Sequence, residues 1–344
     1  MAFNSVIYSI IIPTCHKDLI NLSLGYISEM RLPKQDYEVL VIHNATKDDI
    51  ASVVDSYKDK IHNLRYIYES EDGLMASRHR GAREAVGSIL CYLDDDSFVD
   101  KDYLIGIEET FADPSVVCAC GPNLPLYESK PPAWLKYFWG ISPWGVFMSE
   151  LSLMNLTHKI MDVPAWFAFG CNMVVKKDIF FSMGGTNPDC MPPEKLIYTG
   201  DGETALSVKL NANGYTAKYN PKIKIRHFVS SSRMTEEYFR KRAIYQGVCD
   251  SFTAIRVKNN ICPVYNFEPN SKILIPKEAY LKRKCRKVIN KLRKYNCFKS
   301  NAYKEYERIK LEYESALKNS YAKHQKAVSE DKALLEWVLR KSYL

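Results

Sequence analysis

The 344-residue chain predicts an α/β fold: a mostly parallel sheet with helices on both faces, followed by a C-terminal helical extension. Three observations carry this expectation. Short β-rich runs alternate with helical spacing through the first hundred residues, as crossover connections between parallel strands require. The runs themselves (SVIYSIII, YEVLVI, SILCYL) are apolar at nearly every position, which suits strands covered on both faces. The charge is also split. Residues 1–271 hold 28 Lys/Arg against 32 Asp/Glu, whereas 272–344 hold 20 against 8, so the basic character belongs to an appended segment. The expected organisation is a domain over 1–270 and a basic helical extension over 271–344.

Residues 5–12 read as the first strand, stopped by Pro13, which has no N–H to give to a sheet. Leu19, Leu22, Leu24 and Ile27 have helical spacing and predict a helix over 18–30. Strands follow at 37–42 and 64–68, helices at 48–57 and 74–86, and a fourth strand at 88–93. The pattern then loosens. Residues 122–147 are rich in Pro and aromatic residues and read as loop or short helix, and 166–175 read as a strand. A helix over 201–213 ends at Gly214, a strand over 216–225 leads to His227, and a helix follows over 235–245. From about 277 the chain is helical, with a break near 296–300.

Composition excludes several classes. With 46% hydrophobic and 26% charged residues the chain can build a large core. The N-terminus lacks the basic-then-apolar pattern of a signal peptide, and no apolar run reaches about 18 residues, so a cytoplasmic location without a spanning helix is expected. Ten cysteines form no CxxC pair, which favours buried thiols over a disulfide framework or a zinc site.

The chemistry centres on CYLDDDSFVD, where Asp94, Asp95 and Asp96 follow the fourth strand. In open parallel sheets, ligands bind beyond the carboxyl ends of the strands. Clustered carboxylates there either sit in water as a turn or hold a hard divalent cation shared with substrate phosphates. Three further segments bear on the choice. TGDGETALSVKL places Asp201 and Glu203 at a helix start, where acids also serve as ordinary first-turn charges. IRHFVSSSR places His227 and Arg233 after a strand, and a lone His is often structural. GLMASRHRGAREA gathers Arg78, His79 and Arg80 at another helix start, able to meet a phosphate, a carboxylate or only solvent.

In this order the segments resemble the family 2 glycosyltransferases, which have the GT-A fold. The matching stretches are IIIPTCHK, VIHNATKD, SRHRG, YLDDD, FGCNMVV, MGGTNP, GDGETALSVKL and HFVSSSR, collinear over roughly 5–247. The last stretch, HQKAVSEDKALLEWVLRKSYL, is similar to tails of some bacterial members. The resemblance implies inverting transfer of a sugar from a nucleotide-diphosphate sugar to a hydroxyl of a glycan or lipid-linked acceptor. Residues of about 1–120 would form the nucleotide-sugar half and about 121–270 the acceptor half. By the same resemblance Asp96 and His227 would hold manganese or magnesium, and Asp94 and Asp95 would meet the ribose or order the site. Glu203 would be the general base, with Asp201 as the alternative. Pro13, Thr14 and Asn44 would contact the nucleotide, and Arg78, Arg80 and Arg233 the diphosphate. The chain departs from the family where His43 and Asn44 replace an acidic pair, leaving the nucleobase open. Asn172 would back the sugar. Trp134, Trp139, Trp144 and Trp166 are either acceptor-stacking faces or core.

Two other classes fit parts of the sequence. A nucleic-acid-binding protein would use the basic tail but leaves the ordered acids unexplained. A sugar nucleotidyltransferase would carry a Gly-rich loop after the first strand, where this chain has PTCHKDL. In the tail, 280–294 (YLKRKCRKVINKLRK) is a basic amphipathic helix that either packs its apolar stripe on the body or touches an anionic membrane surface. The later helices either dock on the body or pair with a second chain.

Overall fold

The computed structural model describes residues 7–31, 33, 36–44, 47–264 and 300–344. The basic segment 280–294 lies outside the described residues. The chain runs β1 (Tyr8–Thr14), α1 (Lys17–Ser28), β2 (Tyr37–Asn44), α2 (Ile50–Asp55), β3 (Leu64–Glu69), α3 (Leu74–Glu84), β4 (Ile89–Leu93), β5 (Ser97–Val99), α4 (Tyr103–Phe111), β6 (Cys118–Cys120), β7 (Asn123–Tyr127), β8 (Gly140–Ile141), β9 (Val146–Met148), β10 (Leu153–Asn155), β11 (Met161–Val163), β12 (Asn172–Lys176), α5 (Lys177–Ser182), α6 (Gly202–Ala212), β13 (Ala217–Tyr219), β14 (Ile225–Val229), α7 (Glu236–Lys258), α8 (Asn301–Glu330) and α9 (Lys332–Val338).

Strands β3, β2, β1 and β4 pair in parallel, and β12 joins β4 antiparallel. The full order is β11-β13-β6-β12-β4-β1-β2-β3. Both faces of β1 are buried. Ile10 and Ile12 point into one apolar cluster with Ile20 and Leu24 of α1, and Ile11 into a second with Ala82 of α3. Gly81 lets α3 lie against β1, because a Cβ there would stand 2.3 Å from Ile11. The mostly parallel α/β architecture with C-terminal helices is the one expected from the alternation of runs.

A second sheet, ordered β5-β14-β7-β10-β9-β8, brings distant segments to the end of β4. Strand β14 runs antiparallel to β5 with His227 opposite Ser97, and the Phe228 N–H donates to the Asp96 carbonyl at 2.8 Å. The expected strand over 216–225 is therefore two strands. Pro221, without an N–H, falls between β13 and β14, and His227 sits inside β14 rather than after it. The expected strand over 166–175 is likewise shorter. After Pro164 the chain makes a 3₁₀ turn (Ala165–Phe167), and only Asn172–Lys176 pairs.

Helix α7 runs to Lys258, well past the expected 235–245. Gly247 does not break it. It marks where α8 crosses, since a Cβ there would lie 2.3 Å from the Leu317 carbonyl oxygen. Along this contact Ser320 Oγ donates to the Ile244 carbonyl at 2.6 Å, and His324 bridges Ser251 Oγ and the Ile197 carbonyl. Arg256, fully buried, donates to the Val338 and Arg340 carbonyls. Residues 300–344 thus pack on α7 and on the turn before α6.

His79 on α3 gives this core a pH dependence. It is 1% exposed, and its Nε2 accepts the Thr186 N–H at 3.1 Å. Burial pushes its pKa down to about 4, with Arg83 and Arg78 adding to the effect and the backbone of Tyr343 and Thr186 opposing it. The unfolded chain takes up this proton near 6.5, the folded chain only near 4. Stability is therefore present above pH 6.5 and is lost as pH falls toward 4. Between pH 7 and 5 the His79 contribution to that loss is about 2 kcal/mol. Urea unfolding of wild type and His79→Gln at both pH values checks it; an unchanged pH slope in the variant would rule His79 out.

Candidate active site

The three aspartates would repel one another if their carboxylates converged, and the backbone prevents that. The chain turns directly after β4, with the Ser97 N–H donating to the Asp94 carbonyl at 3.0 Å, and each side chain finds its own cations or donors. Asp94 Oδ1 accepts from Arg78 Nη2 at 3.2 Å. Asp95 Oδ2 accepts from Thr14 Oγ1 at 2.8 Å and pairs with His16 Nδ1 at 3.1 Å. Asp96 lies 2.9 Å from Arg233 Nη1 and 3.1 Å from His227 Nε2. Burial would raise Asp96, but His227 and Arg233 outweigh it and hold the carboxyl below its ordinary value. Burial pushes Asp94 up, against the pull of Arg78.

Asp96 and His227 have the character of an incomplete ligand set. His227 is 2% exposed and gives its Nδ1–H to the Leu151 carbonyl at 2.9 Å. That bond fixes the ring and turns Nε2 toward Asp96, as a carbonyl on the other ring nitrogen does for ligating histidines. Asp96 Oδ1 is buried and has no hydrogen-bond partner by geometry. No group of three or more His, Cys, Asp or Glu among the described residues could hold a metal alone. A carboxylate oxygen and an imidazole nitrogen side by side fit a divalent ion that draws its other ligands from a bound diphosphate and water.

Arg78 organises the other half of the site. Its guanidinium is 2% exposed and faces Asp94, Glu203 at 3.4 Å and Asp189 at 3.8 Å. Gly170 makes room for it, because a Cβ there would lie 2.3 Å from Arg78 Nη2. The Gly170 N–H donates to Glu203 Oε1 at 3.1 Å. Glu203 sits in the first turn of α6, after Gly202 at φ +53°, where a Cβ would meet Asp189 at 2.6 Å. Burial works against ionisation of Glu203, but Arg78 and the Gly170 N–H prevail and hold it below its ordinary value. Asp189 moves the opposite way, raised by burial and by Glu203. Arg78, Asp94, Glu203 and Arg233 line a cavity of about 840 Å³ whose far wall is α7.

The remaining sequence-derived candidates lie elsewhere. Asp201 also borders the cavity, but its oxygens accept from Asn187 Nδ2 and Thr253 Oγ1, both at 2.7 Å. Asn44 braces the loop before α3: its Nδ2 donates to the Glu69 and Glu71 carbonyls, and its Oδ1 accepts the Gly73 N–H. Arg80 turns to Glu84 at 3.0 Å and Glu69 at 3.8 Å, away from the Arg78 cluster. Pro13 is paired within β1, opposite Ile42. Asn172 is held by Asn123, the Ile223 carbonyl and the Tyr103 hydroxyl. No tryptophan lines the cavity. Trp134 packs edge-on against Phe239, and Trp144 against Phe167.

Sequence reasoning missed Asp189, Tyr245, Arg242 and His16. Asp189 follows the Gly184–Gly185 turn without any periodicity to mark it, and Tyr245 Oη donates to its Oδ1 at 2.5 Å. Tyr238, Arg242 and Tyr245 already share one stripe of the expected 235–245 helix, but nothing in the sequence marks that stripe as the one facing the site.

The model of the family described as "Glycosyl transferase family 2" matches residues 9–180, half of the chain. The chain belongs to glycosyl transferase family 2. Its α/β fold agrees with the GT-A fold implied by the ordered motifs. Among relatives, a validoxylamine A glucosyltransferase of Streptomyces hygroscopicus subsp. limoneus is 26% identical over 226 residues, covering 60% of this chain and 48% of that one. A glucosyl-dolichyl phosphate glucuronosyltransferase of Haloferax volcanii is 19% identical over 212 residues, covering 61% and 65%. The chain thus spans about half the length of the Streptomyces relative. Among solved structures, S. aureus TarS 1-349 in complex with UDP-GlcNAc is 12% identical with a TM-score of 0.49, covering 94% and 92%. A Pyrobaculum calidifontis mannosyltransferase in complex with GDP-Man and Mn2+ is 14% identical with a TM-score of 0.48, covering 97% and 83%. Among the described residues, no helix is long and apolar enough to cross a membrane.

Proposed function

We propose that the chain is an inverting, metal-dependent glycosyltransferase that moves a sugar from a nucleotide-diphosphate sugar to a hydroxyl of a glycan or lipid-linked saccharide. One observation carries the reading. An ionised carboxylate, Glu203, and the end of β4 with its aspartates meet on one buried guanidinium, Arg78, at the wall of one cavity. Family membership and the transferase names of the relatives support it.

Asp96 and His227 would hold manganese or magnesium, and a bound divalent ion supplies Lewis-acid neutralisation of the leaving diphosphate. Arg233, anchored on Asp96 and stacked over the Tyr238 ring, adds a fixed positive charge beside the same leaving group. Thr14 and His16 hold Asp95, so the turn after β1 and the end of β4 move as one wall for the nucleotide. Glu203 receives the proton of the attacking acceptor hydroxyl. It is ionised at neutral pH because Arg78 stabilises its charge, so it is free to accept that proton. Attack on the face opposite the leaving group inverts the anomeric carbon.

A screen of UDP-, GDP- and dTDP-sugars, read by thermal shift and by donor hydrolysis with and without manganese, tests this reading. At least one donor should stabilise the protein and be hydrolysed slowly only with the metal. If no donor shifts Tm or is cleaved under either condition, the proposal falls.

A further inference from the structure

The cavity continues well beyond the reacting groups, along a single stripe of α7. Tyr238, Arg242, Tyr245, Cys249, Thr253 and Val257 line it, each three or four residues from the next, and Lys258 stands at its end. At 1.5 Å per residue, the 20 steps from 238 to 258 make a floor about 30 Å long. One sugar ring at the Glu203 end leaves most of that floor for something else.

Within the stripe, Arg242 is unusual. Its guanidinium is half-buried and lines the cavity, yet its nitrogens make no hydrogen bond or ion pair with a described residue. The Tyr245 ring centre lies 5.4 Å from its guanidinium carbon. The carboxylates around it feel its charge without touching it, and several have partners of their own. Asp189 accepts from Tyr245, Asp250 from Gln246 and Glu150 from Ser149. Arg78 and Arg233, the other two arginines of the cavity, are both paired. A guanidinium without a hydrogen-bonding partner among the described residues, at the wall of a cavity, is matched by a planar or tetrahedral oxyanion. The lining holds six carboxylates (Asp94, Glu150, Asp189, Asp201, Glu203 and Asp250) against four cations (Arg78, Arg233, Arg242 and Lys258), so a bare anion gains little, whereas an anion attached to a hydroxyl-rich sugar also gains the acceptors of the walls.

We propose that this groove is an acceptor subsite for an extended saccharide carrying an oxyanion, a phosphate or a carboxylate, seated on Arg242 and steered by Lys258. This deepens the transferase reading and rests on it for the word acceptor; the anion site itself does not. The test uses the full chain with manganese and saturating UDP, so that the donor end is blocked, and titrates glucose, glucose 6-phosphate and glucuronate by calorimetry. One or both anionic sugars should bind about tenfold more tightly than glucose, the scale of one charge-assisted contact. Which of the two gains tells phosphate from carboxylate. Arg242→Gln should bring the anions back to the affinity of glucose, and Arg242→Lys should fall between. Equal binding of all three sugars by the wild type overturns the proposal, as does a preference that survives in Arg242→Gln. If that variant does not fold, the wild type and Arg242→Lys decide by the same criterion. Failure of UDP or any donor to bind would count against the transferase reading alone, since the anion preference is read without turnover.

Discussion

Glu203→Gln is expected to lower sugar transfer by about 10³-fold, the middle of the range for loss of a general base, while donor affinity changes little. Glutamine keeps the length of the side chain and can still accept the Gly170 N–H that Glu203 Oε1 accepts at 3.1 Å. It removes the charge and replaces the oxygen that accepts from Arg78 Nη1 with an amide donor. Arg78 retains Asp94 and Asp189, so the guanidinium is not stranded. Asp201→Asn is the necessary companion. Asp201 accepts from Asn187 and Thr253, which tie the 184–201 loop to α7, so its loss should appear mainly as a lower Tm. Single-turnover transfer with bound donor separates the two. A Glu203→Gln enzyme with near-normal turnover, beside a well-folded but inactive Asp201→Asn, would assign the base to Asp201.

The contrast between these two acids shows what sequence could and could not provide. Both lie at the start of one helix, two residues apart, and motif order alone favours Glu203. Their different surroundings come from segments that sequence does not connect to them. Gly170 is 33 residues away, Asn187 lies in a turn without periodicity, and Thr253 is on a part of α7 beyond the expected helix. Strands β1, β2 and β4 are legible because burial on both faces leaves continuous apolar runs, whereas the edge strand β3 alternates buried and exposed positions. The second sheet was not, because its strands are two to five residues long and mix Pro, Gly and aromatic residues. That sheet is nonetheless what sets His227 against Asp96.

Asn44 and Arg80 teach a related lesson. Both occupy positions where motif order points to a nucleotide, yet in this chain both side chains are engaged by the β3–α3 region. An amide or a guanidinium at a strand end satisfies whichever backbone or carboxylate lies nearest, and that neighbour is invisible until the strands are paired. Thr14 is likewise engaged within the chain, by Asp95, because the turn after β1 faces the turn after β4 across directly paired strands.

Asp96→Ala should weaken manganese-dependent binding of the nucleotide diphosphate by at least about 10²-fold, because a bound ion neutralises several kcal/mol of phosphate charge. The protein itself should suffer less. Asp96 is buried beside His227 and Arg233, and the imidazole keeps its Nδ1–H bond to the Leu151 carbonyl. Arg233 loses its Nη1 partner but keeps the Tyr238 ring. Asp95→Ala is the control with the opposite balance. It unties Thr14 and His16 from β4, so it should loosen nucleotide binding with and without metal, by a smaller factor. Calorimetric titration of UDP and GDP into wild type and both variants, in manganese and in EDTA, separates the outcomes. If Asp96→Ala matches wild type in both buffers, the buried Oδ1 beside His227 is a structural carboxylate and the metal belongs elsewhere. If affinity is lost only in manganese, the charges that looked mutually repulsive in the sequence are the anchor for the ion.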